Sequence, residues 1–88
     1  MAPDHYRLLE EHFACLMPEV TLLLSSEEAA NAQEYLAVEE YGLALEAVVD
    51  SLCMSKVPIS QAVYREIVAL SQLMEGLVDE QLPALVLE

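Results

Sequence analysis

Apolar residues recur along this chain at helical intervals, and the pattern changes little from one end to the other. Leu9, Phe13 and Leu16 mark the first stripe, flanked by Tyr6 and Leu8, with Asp4 after Pro3 placed to cap its start. Pro18 interrupts this helix or ends it just before, because proline has no N–H to donate and clashes with the preceding turn. The segment Val20-Thr21-Leu22-Leu23-Leu24 is too short to assign by period. It reads as a buried extended connection or as one more helical turn, and the turn is the better fit. Ser25 and Glu28 form a Ser-x-x-Glu capping box, so a second helix is predicted from about residue 26. Its sequence, EEAANAQEYLAV, carries a thin stripe of Ala29, Ala32 and Leu36, with Glu27, Asn31, Glu34 and Tyr35 on the other side.

A break is predicted around residues 38 to 41, where Gly42 weakens helix continuity, and a third helix from about 41 to 55. Tyr41, Leu45, Val48 and Leu52 make its apolar face, while Glu39, Glu46 and Asp50 follow the same spacing on another face. Ser60 caps a fourth helix with a stripe of Val63, Ile67, Leu70, Met74 and Leu77. The tail DEQLPALVLE is apolar but broken by Pro83, and either lies over the core or hangs free. Four stripes that each need cover, joined by short connections, predict an all-α fold. The expected form is a small antiparallel four-helix bundle, with room for an extra short helix after Pro18.

Composition narrows the function. Eighty-eight residues, 56% of them hydrophobic, make one domain spanning 1–88 with a packed core. No apolar run approaches the roughly 20 residues of a membrane span. The start Met-Ala-Pro-Asp-His has neither a basic nor an apolar leader segment, so a cytoplasmic protein is expected. Cys15 and Cys53 are far apart, belong to no Cys-x-x-Cys, and read as small buried apolar residues of a reducing compartment. Charge is the strongest signal: 16 acids face three bases, for a net charge of −13. Between Arg7 and Lys56 there is no Lys or Arg at all. Direct binding to nucleic acid or to an anionic membrane is disfavoured, and a basic macromolecular partner is favoured.

Motifs for chemistry are missing. His5 and His12, seven residues apart, would stand about 10.5 Å apart along one helix, too far to share an ion. Neither cysteine has a histidine placed by a recognisable motif, and the only glycines, Gly42 and Gly76, make no phosphate loop. Asp50-Ser51-Leu52 matches the attachment tripeptide of acyl carrier proteins, but it ends a helix where a carrier serine begins one. YGLALEAVVDSL looks like the second helix of a tetratricopeptide unit, but no copy follows about 34 residues later. The chain therefore reads as a binding protein with no metal, no cofactor and no catalytic residues.

The stretch EEYGLALEAVVDSL followed by VPISQAVYREIVALSQLM resembles the MafI-type immunity proteins of bacterial polymorphic-toxin and contact-dependent growth inhibition (CdiI-like) systems. The resemblance covers roughly residues 34 to 76. It rests on Tyr41-Gly42 after an acid, then Ala44-Leu45-Glu46, an apolar stripe through Leu52, Pro58-Ile59-Ser60 and a helix containing Tyr64. It implies a small cytoplasmic protein that neutralises a cognate toxin domain, often a nuclease such as an EndoU-like RNase. An acidic helical face would occlude a basic active-site cleft. The candidate face comprises Glu34, Tyr35, Glu39, Glu46 and Asp50, extended along the second helix by Glu27, Glu28 and Asn31. Tyr41 is expected in the core, and Gly42 is expected to allow close approach. The alternative is a helical protein–protein adaptor or regulator outside any toxin system.

Overall fold

The computed structural model describes residues 3–88, so the Met1-Ala2 start of the leader reading lies outside the described residues. The fold is all-α. Four helices, α1 (Pro3–Val20), α2 (Ser26–Ala37), α3 (Tyr41–Ser55) and α4 (Gln61–Leu73), are followed by a 3₁₀ helix, Asp79–Ala84. The radius of gyration, 11.9 Å, matches the roughly 12 Å of a compact chain of this length. No helix is long and apolar enough to cross a membrane among the described residues.

Local signals set most of the boundaries. Helix α1 starts at Pro3, so Asp4 belongs to its first turn and pairs with Arg7 at 3.5 Å rather than capping the helix. Pro18 does not end α1, which continues to Val20 and closes through Thr21 N–H to Met17 O at 2.9 Å. Ala14, whose carbonyl loses the usual N–H partner at Pro18, lies on the exposed side, where water can replace that bond. No separate helix follows Pro18. Residues 21–24 form turns, with Leu24 N–H on Val20 O at 3.0 Å, and the additional short helix lies at the C-terminal end instead.

The capping box forms as expected: Glu28 N–H donates to Ser25 Oγ at 3.1 Å, and Ser25 N–H to Glu28 Oε1 at 2.9 Å. Between α2 and α3 the left-handed residue is Glu39, with φ 60°, and not Gly42, which sits inside α3. A Cβ built on Gly42 would stand 3.4 Å from Leu77 Cδ2, ordinary contact with a flexible side chain, so no close approach demands this glycine. Ser60 caps α4 by accepting from Val63 N–H at 3.1 Å. Helix α4 ends at Leu73, so Met74 and Leu77 fall beyond it and Leu77 is exposed.

Neighbours in sequence are not always neighbours in space. Helix α1 packs on α4, and α2 on α3; α1 and α2, though consecutive, are not a packed pair. His12 midway along α1 meets Glu66 of α4 at 2.8 Å, and Glu19 and Leu23 near the end of α1 lie beside Ser60 and Val63 at the start of α4. The two helices therefore run antiparallel. Leu16, Leu45, Leu52, Ile67 and Leu70 are fully buried between the pairs, each such side chain favouring the folded state by about 1.5–3 kcal/mol. Tyr41 is buried as expected, against Phe13. Cys15 is exposed and Cys53 half-buried, correcting the expectation that both lie inside. Cys15 occupies the same outer side of α1 as Ala14 and Pro18, away from the stripe of Leu9, Phe13 and Leu16.

The tail lies over the core. Ile59 donates to Val86 O at 2.8 Å and accepts from Glu88 N–H at 2.9 Å, an isolated parallel bridge that fastens the C-terminus beside the start of α4. Val78 and Leu85 are buried in the core. Ser71, fully buried, accepts from Val78 N–H at 3.1 Å and donates to Asp79 Oδ1 at 2.9 Å, which satisfies the hydroxyl inside the fold.

Candidate partner-binding face

A short turn of Val38, Glu39 and Glu40 folds α3 back along α2. The helices therefore bring i, i+4 positions of α2 opposite i, i+3, i+4 and i+7 positions of α3. Between them lies an open cleft of about 310 Å³, lined by Asn31 and Tyr35 of α2 and by Leu43, Glu46, Ala47 and Asp50 of α3. Four of the eight residues expected on the binding face thus share one cleft.

The other four are placed elsewhere. Glu27 and Glu34 are exposed on α2 and share the outer side of Asn31 at helical spacing, so they extend the face without lining the cleft. Glu28 is committed to the cap. The Ser25 backbone N–H is the main cause that holds its carboxyl below the usual 4.5; desolvation opposes it, and the Ser25 and Ser51 hydroxyls add smaller help in lowering it. Glu39 lies in the left-handed turn before α3, so the helical spacing that aligned it with Glu46 and Asp50 does not apply to it.

Within the cleft the two acids differ. Asp50 accepts from Gln81 Nε2 of the 3₁₀ helix, which pins its carboxylate. Glu46 is half-buried and has no salt-bridge or hydrogen-bond partner among the described residues. Arg7, the base with ion pairs, is occupied by Asp4 and Glu11 at 3.5 and 3.9 Å. Exposed Leu43 lines the cleft beside the acids, and Met54, one helical turn beyond Asp50 on α3, is 84% exposed. The apolar stripe of α3 through Tyr41, Leu45, Val48 and Leu52 does not include these residues, yet Leu43, Ala47, Asp50 and Met54 stand at i, i+4, i+7 and i+11, a second, outward stripe visible in the spacing. Ser51 lies in the last turns of α3, not at a helix start as a carrier serine would.

The arrangement suits recognition: a tyrosine, a carboxylate with no partner among the described residues, and an exposed leucine line one cleft. Among the described residues no group of three His, Cys, Asp or Glu is placed to hold a metal ion. Comparison of the chain with protein families, with curated proteins and with solved structures found no match.

Proposed function

We propose that this chain is an immunity protein that binds a basic toxin domain of the nuclease class, with EndoU-like RNases as one example, and blocks its active site with the α2/α3 face. The observation that carries the reading is the cleft itself: Glu46 and Asp50 lie beside Tyr35 with exposed Leu43 next to them, and no base of the chain pairs with them among the described residues. An interface needs apolar and aromatic contact for affinity and charge for steering and register. The chain's own role is steric occlusion combined with carboxylates set where substrate phosphates would lie. It acts in the cytoplasm, where the toxin would otherwise cut RNA.

The test is co-expression with a candidate basic nuclease domain, followed by binding measurements on the purified pair. Wild-type protein should rescue growth, and its association should slow steeply with added salt. Glu46→Lys should weaken binding by about 2–5 kcal/mol if it meets a buried base. Asp50→Lys should do the same, with loss of the Gln81 contact monitored by the unfolding midpoint. Binding indifferent to both substitutions, or an on-rate insensitive to salt, removes this face from the interface.

A further inference from the structure

A second cleft opens on the opposite flank of α2. Because α1 packs on α4 while α2 packs on α3, a gap of about 260 Å³ remains between α1 and α2. Its floor is apolar and aromatic: Phe13 and Met17 of α1, Leu36 of α2 and Tyr41 of α3. The Phe13 and Tyr41 rings stack with centroids 6.0 Å apart, and Tyr6 continues the aromatic surface 6.1 Å from Tyr41. The rim is polar, with the Glu10 carboxylate on α1 and the Gln33 amide on α2. Among the described residues neither side chain has a hydrogen-bond or salt-bridge partner, and both are exposed.

We infer that this cleft is an anchor pocket for one basic side chain, arginine or lysine, presented by the partner. The inference rests on the reading that the partner is basic. The occupant follows from charge and shape. An anion would meet Glu10 inside a chain of net charge −13. A purely aliphatic group would cover the floor but leave the carboxylate without a counter-charge. A long side chain with an apolar stem and a cationic head satisfies both, its stem on Met17 and Leu36 and its head by Glu10 and the aromatic rings. Burial first, and then the negative charges of Glu10 and Glu39, push the Tyr41 phenol above its ordinary value. Helix α2 then forms a ridge between two clefts, with Asn31 and Tyr35 facing one and Gln33 and Leu36 the other. A partner seated astride the ridge reaches both.

The pocket can be tested without the toxin. Two-dimensional amide NMR spectra are followed during titration with N-acetyl-argininamide and, separately, N-acetyl-leucinamide. Argininamide should give saturable shifts at Phe13, Gln33 and Tyr41, with leucinamide about tenfold weaker. Ala14→Leu, which fills the cleft from an exposed wall position, should abolish the shifts, and Glu10→Gln should weaken them. No saturable shift, equal binding of leucinamide, or full binding by Glu10→Gln overturns the pocket; the comparison of the two probes on the wild-type protein decides even if a variant unfolds. Failure of the probe while Glu46→Lys still weakens toxin binding sinks this inference and leaves the proposed function standing. Binding of the probe with no toxin bound does the reverse.

Discussion

An added methyl group meets different surroundings at the two glycines. Gly76 follows α4 with φ 78°, and a Cβ there would stand 2.8 Å from Asp79 Oδ2. Asp79 is the acceptor that holds buried Ser71 and, through it, Val78 N–H. Gly76→Ala therefore forces a left-handed conformation on an L side chain and disturbs a buried hydrogen-bond chain. A loss of about 1–3 kcal/mol is expected in urea unfolding. Gly42, the second residue of α3, has helical neighbours and only the flexible Leu77 side chain nearby. Gly42→Ala should leave stability unchanged or raise it by up to about 1 kcal/mol through helix propensity. Equal destabilisation by both substitutions would contradict these placements.

The C-terminal segment is the element whose contribution is most open to measurement. Leu85 is 8% exposed and packs on the core, whereas Leu87 is 42% exposed and takes part in the bridge to Ile59 through the backbone. Leu85→Ala should cost about 2–3 kcal/mol, as for other buried leucines. Leu87→Ala should cost less than about 0.5 kcal/mol, because the bridge needs no particular side chain there. If the two truncations cost the same, the tail does not lie over the core in solution. Helix α2 is the contrasting element. Its only fully buried side chain is Ala32, and its capping box supplies what its thin stripe does not. Its packing on α3 shapes the cleft, so loss of the Ser25 cap, about 0.5–2 kcal/mol, is felt first at that cleft.

Charge and burial act on the molecule as a whole through pH. The Glu28 carboxyl is held below 4.5 in the folded state, so its contribution is present above that value and is lost as pH falls through the folded value. The Tyr41 phenol is raised above 10.0, first by burial and then by Glu10 and Glu39. Its contribution is fully present below 10.0 and is lost as pH rises through the folded value. Stability should therefore hold between these limits and fall at both ends, with protonation of the crowded carboxylates partly offsetting the acid loss by relieving self-repulsion. Tyrosinate absorbance provides the check. Of the four tyrosines, one should ionise late and together with unfolding, and Tyr41→Phe should remove that step. Four tyrosines titrating as one group near their ordinary value would place Tyr41 outside the core.

Much of this fold is local and could be read from the chain. Ser25 with Glu28, and Ser60 with Val63, act within three residues, and each marks its helix start where the capping signal puts it. The stripe of Tyr41, Leu45, Val48 and Leu52 is buried as its spacing requires, since a helical period alone defines a face. The ends of α1 and α4 were not legible, because a proline near an exposed helix end costs little and an apolar stripe does not show where the backbone turns. The candidate site was half legible. Spacing along α3 aligned Glu46 with Asp50, but their meeting with Asn31 and Tyr35 depends on how α2 lies against α3. Glu28 went to the cap and Glu39 to the turn, as the Ser-x-x-Glu spacing and the predicted break around residues 38 to 41 indicate, and both uses compete with a place on the face. Periodicity specifies which side of each helix must be covered; long-range packing chooses the cover. Here that choice paired α1 with α4, left a gap beside α2, and drew the tail onto Ile59.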